Sequence, residues 1–390
     1  MALKRWSICH FLRVHSFEVG IILFFTSLWV VYVVEGNWYT HKRPTDTQSL
    51  SGGRYAKELS PRSPYEAVPE EARQNVKAYI QAKFNHSCYK ANPSDLSSRV
   101  LLEKDELEKR GCKQKLPQAI TIGGRKCGTS NILQFLRFHP AIEMRTSLVP
   151  LDFFSGAYTS GLGLYRKQMP YTTEKQMTIE KTPEFFVVPY DVPKKVHDDI
   201  GSNTKILAVV CDPVKRIISD YVNLAKRDKN PEEIDQYLSK SLENTIMSEA
   251  GQINHLNALV DGSMYFKHFM RWLHLFPLEQ IFLIDADTIA KHPSRELQRM
   301  ETFLGIPPYF DDTHFRFDDE HSKYCLRFPQ DLCVESKKRK QKNRKKDQAA
   351  FYTKKDVPET LKSQLYEYFE PYDQMLAEKF NQSLSWRNSK

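Results

Sequence analysis

The residues with the clearest chemical potential lie between Pro117 and Pro140, PQAITIGGRKCGTSNILQFLRFHP. Gly123 and Gly128 bracket Arg125, Lys126 and Cys127, and Thr129 and Ser130 follow before an apolar-periodic run begins. A glycine-rich turn at the start of a helix lets backbone N–H groups approach a phosphate, and the helix dipole favours the negative charge. The Gly123-x4-Gly128 spacing echoes a P-loop. However, Thr129 stands where a nucleotide triphosphatase carries its lysine, and Lys126 sits two residues before the second glycine. The pattern therefore suits a phosphate bound without a magnesium-bound triphosphate. The same glycines would also serve a turn that merely joins strand to helix.

Such a turn needs particular elements on either side. Ala119–Ile122 reads as a short buried strand and Gly123–Ser130 as the turn. The helix after it carries Ile132, Leu133, Phe135, Leu136 and Phe138 on one side and stops at His139-Pro140. Lys205–Cys211 and Gln280–Ile284 are further continuous apolar strands, separated by helical patterns at Val214–Arg227 and Ser263–Phe276. Buried strands alternating with helices imply an α/β fold with a central parallel sheet flanked by helices. In such sheets ligands sit at the carboxyl ends of strands, where Gly123–Ser130 and Cys211–Ser219 would both lie.

The 390 residues and net charge of +9 allow one large domain with appendages and favour a polyanionic partner. Val19–Val34 is sixteen residues without a charge, preceded by Lys4, Arg5 and Arg13 and followed by Glu35. It reads as a single retained transmembrane helix with residues 1–18 cytosolic and the rest lumenal. That topology excludes nucleic acid as a partner. Residues 35–115 read as a lumenal stem, polar up to Pro64 and charge-rich and helical in tone over Glu66–Lys115. The globular domain is expected over 116–386. Asn85 and Asn381 open glycosylation sequons. Of the seven cysteines, Cys325 and Cys333 are near enough to close a small disulfide, and Cys88 with Cys112 is a second candidate pair. No Cys/His spacing suggests a metal site. Ser336–Lys346 carries eight basic residues among its last ten, the composition of a solvated run or of a polyanion-binding loop.

Several blocks, taken in order, resemble the Golgi sulfotransferases of heparan sulfate, most closely the glucosaminyl 3-O-sulfotransferases. The sulfotransferase domains of the N-deacetylase/N-sulfotransferases come next. The blocks are IGGRKCGTS (Ile122–Ser130), His139-Pro140, GLGLYRKQMP (Gly161–Pro170), IEKTPEFF (Ile179–Phe186) and DPVKRIISDY (Asp212–Tyr221). SMYFKHFMRWLHLFP (Ser263–Pro277), Tyr324-Cys325-Leu326, Cys333 and Ser336–Arg339 complete the set. The resemblance implies a sulfotransferase fold, 3′-phosphoadenylyl sulfate (PAPS) as sulfuryl donor, no metal, and a Golgi membrane protein of single-pass type II topology.

It also implies roles. Lys126, Cys127, Gly128, Thr129 and Ser130 would wrap the donor's 5′-phosphate, with Lys126 stabilising charge on the bridging oxygen. Ser219 matches the serine on the 3′-phosphate. Arg216, on the same helix face, would help it or anchor the helix by pairing with an acid. The arginine that opens the family's RDP motif is Cys211 here. Tyr324 with Lys337, Lys338 and Arg339 matches the segment that closes over the nucleotide, although Lys338 replaces a glycine. Lys181 matches a lysine beside the reacting centre.

The largest departure lies in Thr146–Ser155. With Phe153-Phe154 aligned, the family's catalytic glutamate is Pro150 here, its histidine is Asp152 and its aspartate is Ser155. Proline cannot accept a proton. Strand alternation would put Asp152 on the side of position 150, making it the candidate base. Another carboxylate could serve instead, or activity could be lost. The reading is thus sulfuryl transfer to a glucosamine 3-hydroxyl of heparan sulfate. Its rivals are a catalytically impaired relative and a sulfotransferase for another glycosaminoglycan position.

Overall fold

The computed structural model describes residues 70–227, 241–333 and 357–387, apart from residues 93, 94, 97, 148 and 321. Val19–Val34, the polar segment after it, and Lys337, Lys338 and Arg339 lie outside the described residues. No helix among those described is long and apolar enough to cross a membrane.

Five parallel strands form the central sheet: β1 (Ala119–Gly123), β2 (Ile142–Met144), β3 (Met177–Lys181), β4 (Lys205–Val210) and β5 (Ile281–Asp285). Their order across the sheet is β2-β3-β1-β4-β5. The central β1 is buried at every position, as a strand covered by helices on both faces requires. Registers Thr121↔Lys181 and Gly123↔Val209 bring the carboxyl ends of β1, β3 and β4 to one edge. Strands β1, β4 and β5 lie within one residue of their expected bounds, and β2 and β3 were not expected.

Helix α1 (Glu70–Phe84) buries Tyr79 and Phe84 in the main core. Helices α2 (Thr129–Leu136), α3 (Pro213–Arg227), α4 (Tyr265–Leu273), α5 (Ala286–Lys291), α6 (Pro293–Leu304) and α7 (Glu359–Phe380) complete the principal layers. A second core joins Ile217 and Tyr221 of α3 to Leu361, Leu365 and Phe369 of α7. The hairpin β6 (Phe315–Asp318) and β7 (Lys323–Leu326) lies beyond the sheet.

Part of the segment read as stem, from α1 onward, is folded onto the body. The buried Lys83 explains why: its Nζ donates to the carbonyl oxygens of Arg137, His139 and Ile142 at 2.7, 2.9 and 2.9 Å. Arg99 also pairs with the buried Glu143 of β2 at 3.0 Å. Between these anchors the chain forms a short strand pair, Tyr89–Ala91 with Arg99–Leu101, rather than continuous helix. Disulfides Cys88–Cys112 and Cys325–Cys333 are both present.

Candidate functional site

The turn after β1 is built by close approach. Gly124 N–H donates to the Val209 carbonyl at 2.7 Å, and a Cβ on Gly123 would stand 2.5 Å from that oxygen. Gly128 caps α2 with a left-handed backbone, φ 78°. The first N–H groups of the helix, at Thr129 and Ser130, have no acceptor within it and are available to an anion. Lys126 also holds a left-handed backbone, φ 77°, which costs a non-glycine residue about 1–2 kcal/mol. Its side chain is exposed and reaches across to α3, with Nζ 3.4 Å from Asn223 Oδ1.

Lys181 ends β3, and its Nζ donates to Ser130 Oγ at 3.1 Å, joining strand and turn across the sheet edge. Partial burial lowers its pKa, opposed by the charges of Glu184, Glu180 and Asp152. The ammonium therefore sits among three carboxylates at the mouth of the site.

The face of α3 toward the turn carries Arg216, Ser219, Asp220 and Asn223, spaced one helical turn apart. Asp212 starts this helix by accepting the N–H groups of Val214 and Lys215 at 2.9 and 3.1 Å. Tyr366 of α7 donates to its other oxygen at 2.8 Å. Ser219 is half-buried beside the turn. Of its two expected roles, Arg216 takes the anchoring one. It is 3% exposed and donates to Ser263 Oγ at 2.5 Å, to Asp220 Oδ2 at 3.1 Å and to the Leu259 carbonyl. Enclosed in this way, it is not placed to grip a phosphate. Arg125 shares Asp220 Oδ2 at 3.0 Å and is partly exposed.

Cys127 lies in the turn and lines the cleft beside it. Its sulfur is bonded to Cys211, the residue just before the DPVKRIISDY block. Both sulfurs lie near the Tyr265 hydroxyl, which donates to the Cys211 carbonyl at 2.9 Å. This pair was not foreseen, because neither cysteine has a partner close in sequence.

Beside the turn a cleft of about 150 Å³ is bounded by Cys127, Gly128 and Asn131 on one side and Tyr324 and Lys323 on the other. Ile132, Phe135, Ala286 and Ile289 form its apolar floor. The hairpin thus brings Tyr324 to the phosphate turn from some two hundred residues away. An apolar slot opening onto helix N–H groups fits an aromatic base attached to a phosphate. Asp318 lies beside Cys325 and Cys333, but those sulfurs are tied in a disulfide and offer no thiolate to a metal.

The segment around Asp152 is not a strand, so the expected alternation with Pro150 does not apply. Asp152 is exposed with φ 51°, and its carbonyl accepts the N–H groups of Ser155 and Gly156 in a widened turn. Phe153 stacks on Tyr165 at 4.3 Å and Phe154 meets Phe185 at 5.5 Å, which pins this turn to the body. The charge of Asp152 is felt by both Lys181 and Glu180. A second carboxyl, not singled out from the sequence, lies close by. Glu180 is buried; one oxygen accepts from Thr182 Oγ1 at 2.7 Å and the other has no hydrogen-bond partner. Burial pushes it up to about 7, against the lowering effect of Arg145 and Lys181. It lines a small cavity with Arg145 and Lys181. The sequon residues Asn85 and Asn381 are both exposed, Asn381 at the end of α7.

Residues 116–383 match the family model described as a sulfotransferase domain. Heparan sulfate glucosamine 3-O-sulfotransferase 5 of Mus musculus is 35% identical over 227 residues, which are 58% of this chain and 64% of that protein. Heparan sulfate glucosamine 3-O-sulfotransferase 3A1 of Mus musculus is 38% identical over 218 residues, 56% of this chain and 52% of that protein. The chain thus spans between half and two thirds of the length of these relatives. Among solved structures, a sulfotransferase from Alicyclobacillus acidocaldarius aligns with a TM-score of 0.46 at 19% identity, covering 70% of this chain and 98% of that one.

Proposed function

Because the chain belongs to the sulfotransferase family, we propose that it transfers a sulfuryl group from PAPS to a glucosamine 3-hydroxyl of heparan sulfate. The observation that carries this reading is the meeting of three elements at one turn: Gly128 and Tyr324 line one cleft, and Lys181 is bonded to Ser130 two residues further on. The named acceptor of the relatives supplies the substrate class.

In this reading the cleft floor takes the adenine, the N–H groups of Gly128–Ser130 take the 5′-phosphate, and Ser219 takes the 3′-phosphate. Asp152 accepts the proton of the sugar hydroxyl as its oxygen bonds to sulfur. The bond from sulfur to the bridging phosphate oxygen breaks, and 3′,5′-adenosine bisphosphate leaves. Lys126 and Lys181 stabilise the charge gathering on that bridging oxygen, so no metal is needed. Placement in the Golgi membrane, with the domain lumenal, is part of the proposal and rests on Val19–Val34 and its basic flank.

Pro150 at the position of the family's base favours a second reading, a domain that binds nucleotide and glycan without turnover. Transfer of labelled sulfate from PAPS to heparan sulfate, with lyase mapping of the product, tests both. Labelled 3-O-sulfated product supports transfer. Tight 3′,5′-adenosine bisphosphate binding without labelled product supports the second reading, and absence of both overturns the two together.

A further inference from the structure

The Cys127–Cys211 bond joins residues 84 positions apart and sits between the two elements that the proposed donor site requires. Cys127 immediately precedes Gly128, the cap of α2. Cys211 immediately precedes Asp212, whose carboxylate starts α3. The bond therefore acts one residue away from the cap of α2 and one residue away from the start of α3, the helix that carries Ser219. Cys127 is 3% exposed and Cys211 partly buried, and both sulfurs lie near the Tyr265 hydroxyl.

We propose that this disulfide is a positioning element of the donor site, fixing the separation between the turn that takes one phosphate and the helix that takes the other. The proposal rests on the sulfotransferase reading given above. A ligand carrying phosphates at both ends must bridge turn and helix, so its affinity depends on the spacing of two anchor points. Turns at a sheet edge move more than the strands they join. A covalent link between them removes an ordering cost that binding would otherwise bear. An ionic tie also crosses this gap, Arg125 to Asp220 at 3.0 Å, but the Arg125 side chain is 34% exposed, and exposed ion pairs hold weakly. A ligand with one phosphate engages the turn alone and is indifferent to the spacing.

That difference supplies the test. Calorimetric titration compares 3′,5′-adenosine bisphosphate with adenosine 5′-monophosphate on the wild type and on Cys127→Ser/Cys211→Ser. Variants are used rather than a reductant, which would also open Cys88–Cys112 and Cys325–Cys333. The expected result is about tenfold weaker binding of the bisphosphate, with the monophosphate within about twofold of wild type. Equal weakening of both ligands, or an unchanged bisphosphate affinity, overturns the proposal. Failure of the wild type to bind the bisphosphate overturns instead the reading on which it rests. Should the double serine variant melt below the assay temperature, Cys127→Ala/Cys211→Val fills the buried space with apolar groups and carries the same comparison.

Discussion

Asp152→Asn separates the candidate base from the turn that holds it. Asp152 lies in the left-handed region, φ 51°, where asparagine is tolerated nearly as well as aspartate and alanine costs roughly 1–2 kcal/mol. The carbonyl that accepts Gly156 N–H at 2.7 Å is untouched, as is the Phe153–Tyr165 stack. The substitution therefore removes a charge and a proton acceptor without removing packing. A positioned general base contributes typically ~10²–10⁴ in rate. At 1.36 kcal/mol per tenfold, that is about 3–5 kcal/mol of barrier. Losing the attraction to Lys181 adds little, because Asp152 is exposed and screened. The expected outcome is a fall in kcat of at least about a hundredfold, with bisphosphate affinity held within about threefold. Melting should shift by no more than an exposed substitution does, about 0.5 kcal/mol.

Initial rates of labelled sulfate transfer at saturating donor read this directly. A fall in kcat of less than about threefold would refute the assignment. Glu180 would then be the carboxyl to examine, since it is buried beside Lys181 and pushed up to about 7. As a base it works only when deprotonated, so kcat/KM would rise through pH 7 and the rise would vanish in Glu180→Gln.

Lys181→Met removes the ammonium bonded to Ser130 and should lower kcat by about 10²–10³ while changing donor affinity less, measured by steady-state kinetics. Glu180→Gln should flatten the pH dependence of stability. The native carboxyl keeps its proton up to about 7 while the unfolded one releases it near 4.5, so native stability is lost as pH rises between those values, by up to about 3 kcal/mol. Urea titrations of wild type and variant at pH 5 and pH 8 read the difference. Arg216→Met strips a buried guanidinium from Asp220, Ser263 and the Leu259 carbonyl and should cost roughly 3–5 kcal/mol, seen as a melting shift of several degrees. A loss of bisphosphate affinity at unchanged melting would instead show Arg216 contacting ligand.

Strands β1, β4 and β5 and the turn were legible because their signals are local. Ala119–Gly123 is an unbroken apolar run ended by glycine, and Gly123 and Gly128 are required by backbone contact and left-handed φ. Cys325–Cys333 closes a short hairpin and is equally local. What escaped depends on topology. Cys127 and Cys211 meet because β1 and β4 are neighbours in the sheet, although β2 and β3 intervene in sequence. Glu180 gave no sign of burial, since a carboxylate next to a lysine reads as a solvated strand end. The turn at Asp152 was taken for a strand because its hold comes from Tyr165 and Phe185, which sequence spacing does not bring to it.

Giving Cys211 to a disulfide removes a cation from the strand end, and the surrounding charges compensate. Asp220 Oδ2 is shared by two guanidiniums, Arg216 at 3.1 Å and Arg125 at 3.0 Å, so the trio carries one net positive charge. Arg216 and Asp220 are enclosed, with side chains 2% and 3% exposed, and only Arg125 reaches solvent. The surplus charge is therefore presented at Arg125, in the turn. A buried ion pair alone is weak evidence for stability, because desolvation offsets its attraction. An odd cation held by such a pair within the turn is different, because its field is felt by an anion that approaches the turn. The disulfide sets the spacing and the arginine trio sets the potential. On the proposed reading, a site assembled in this way holds two phosphates without an arginine at position 211.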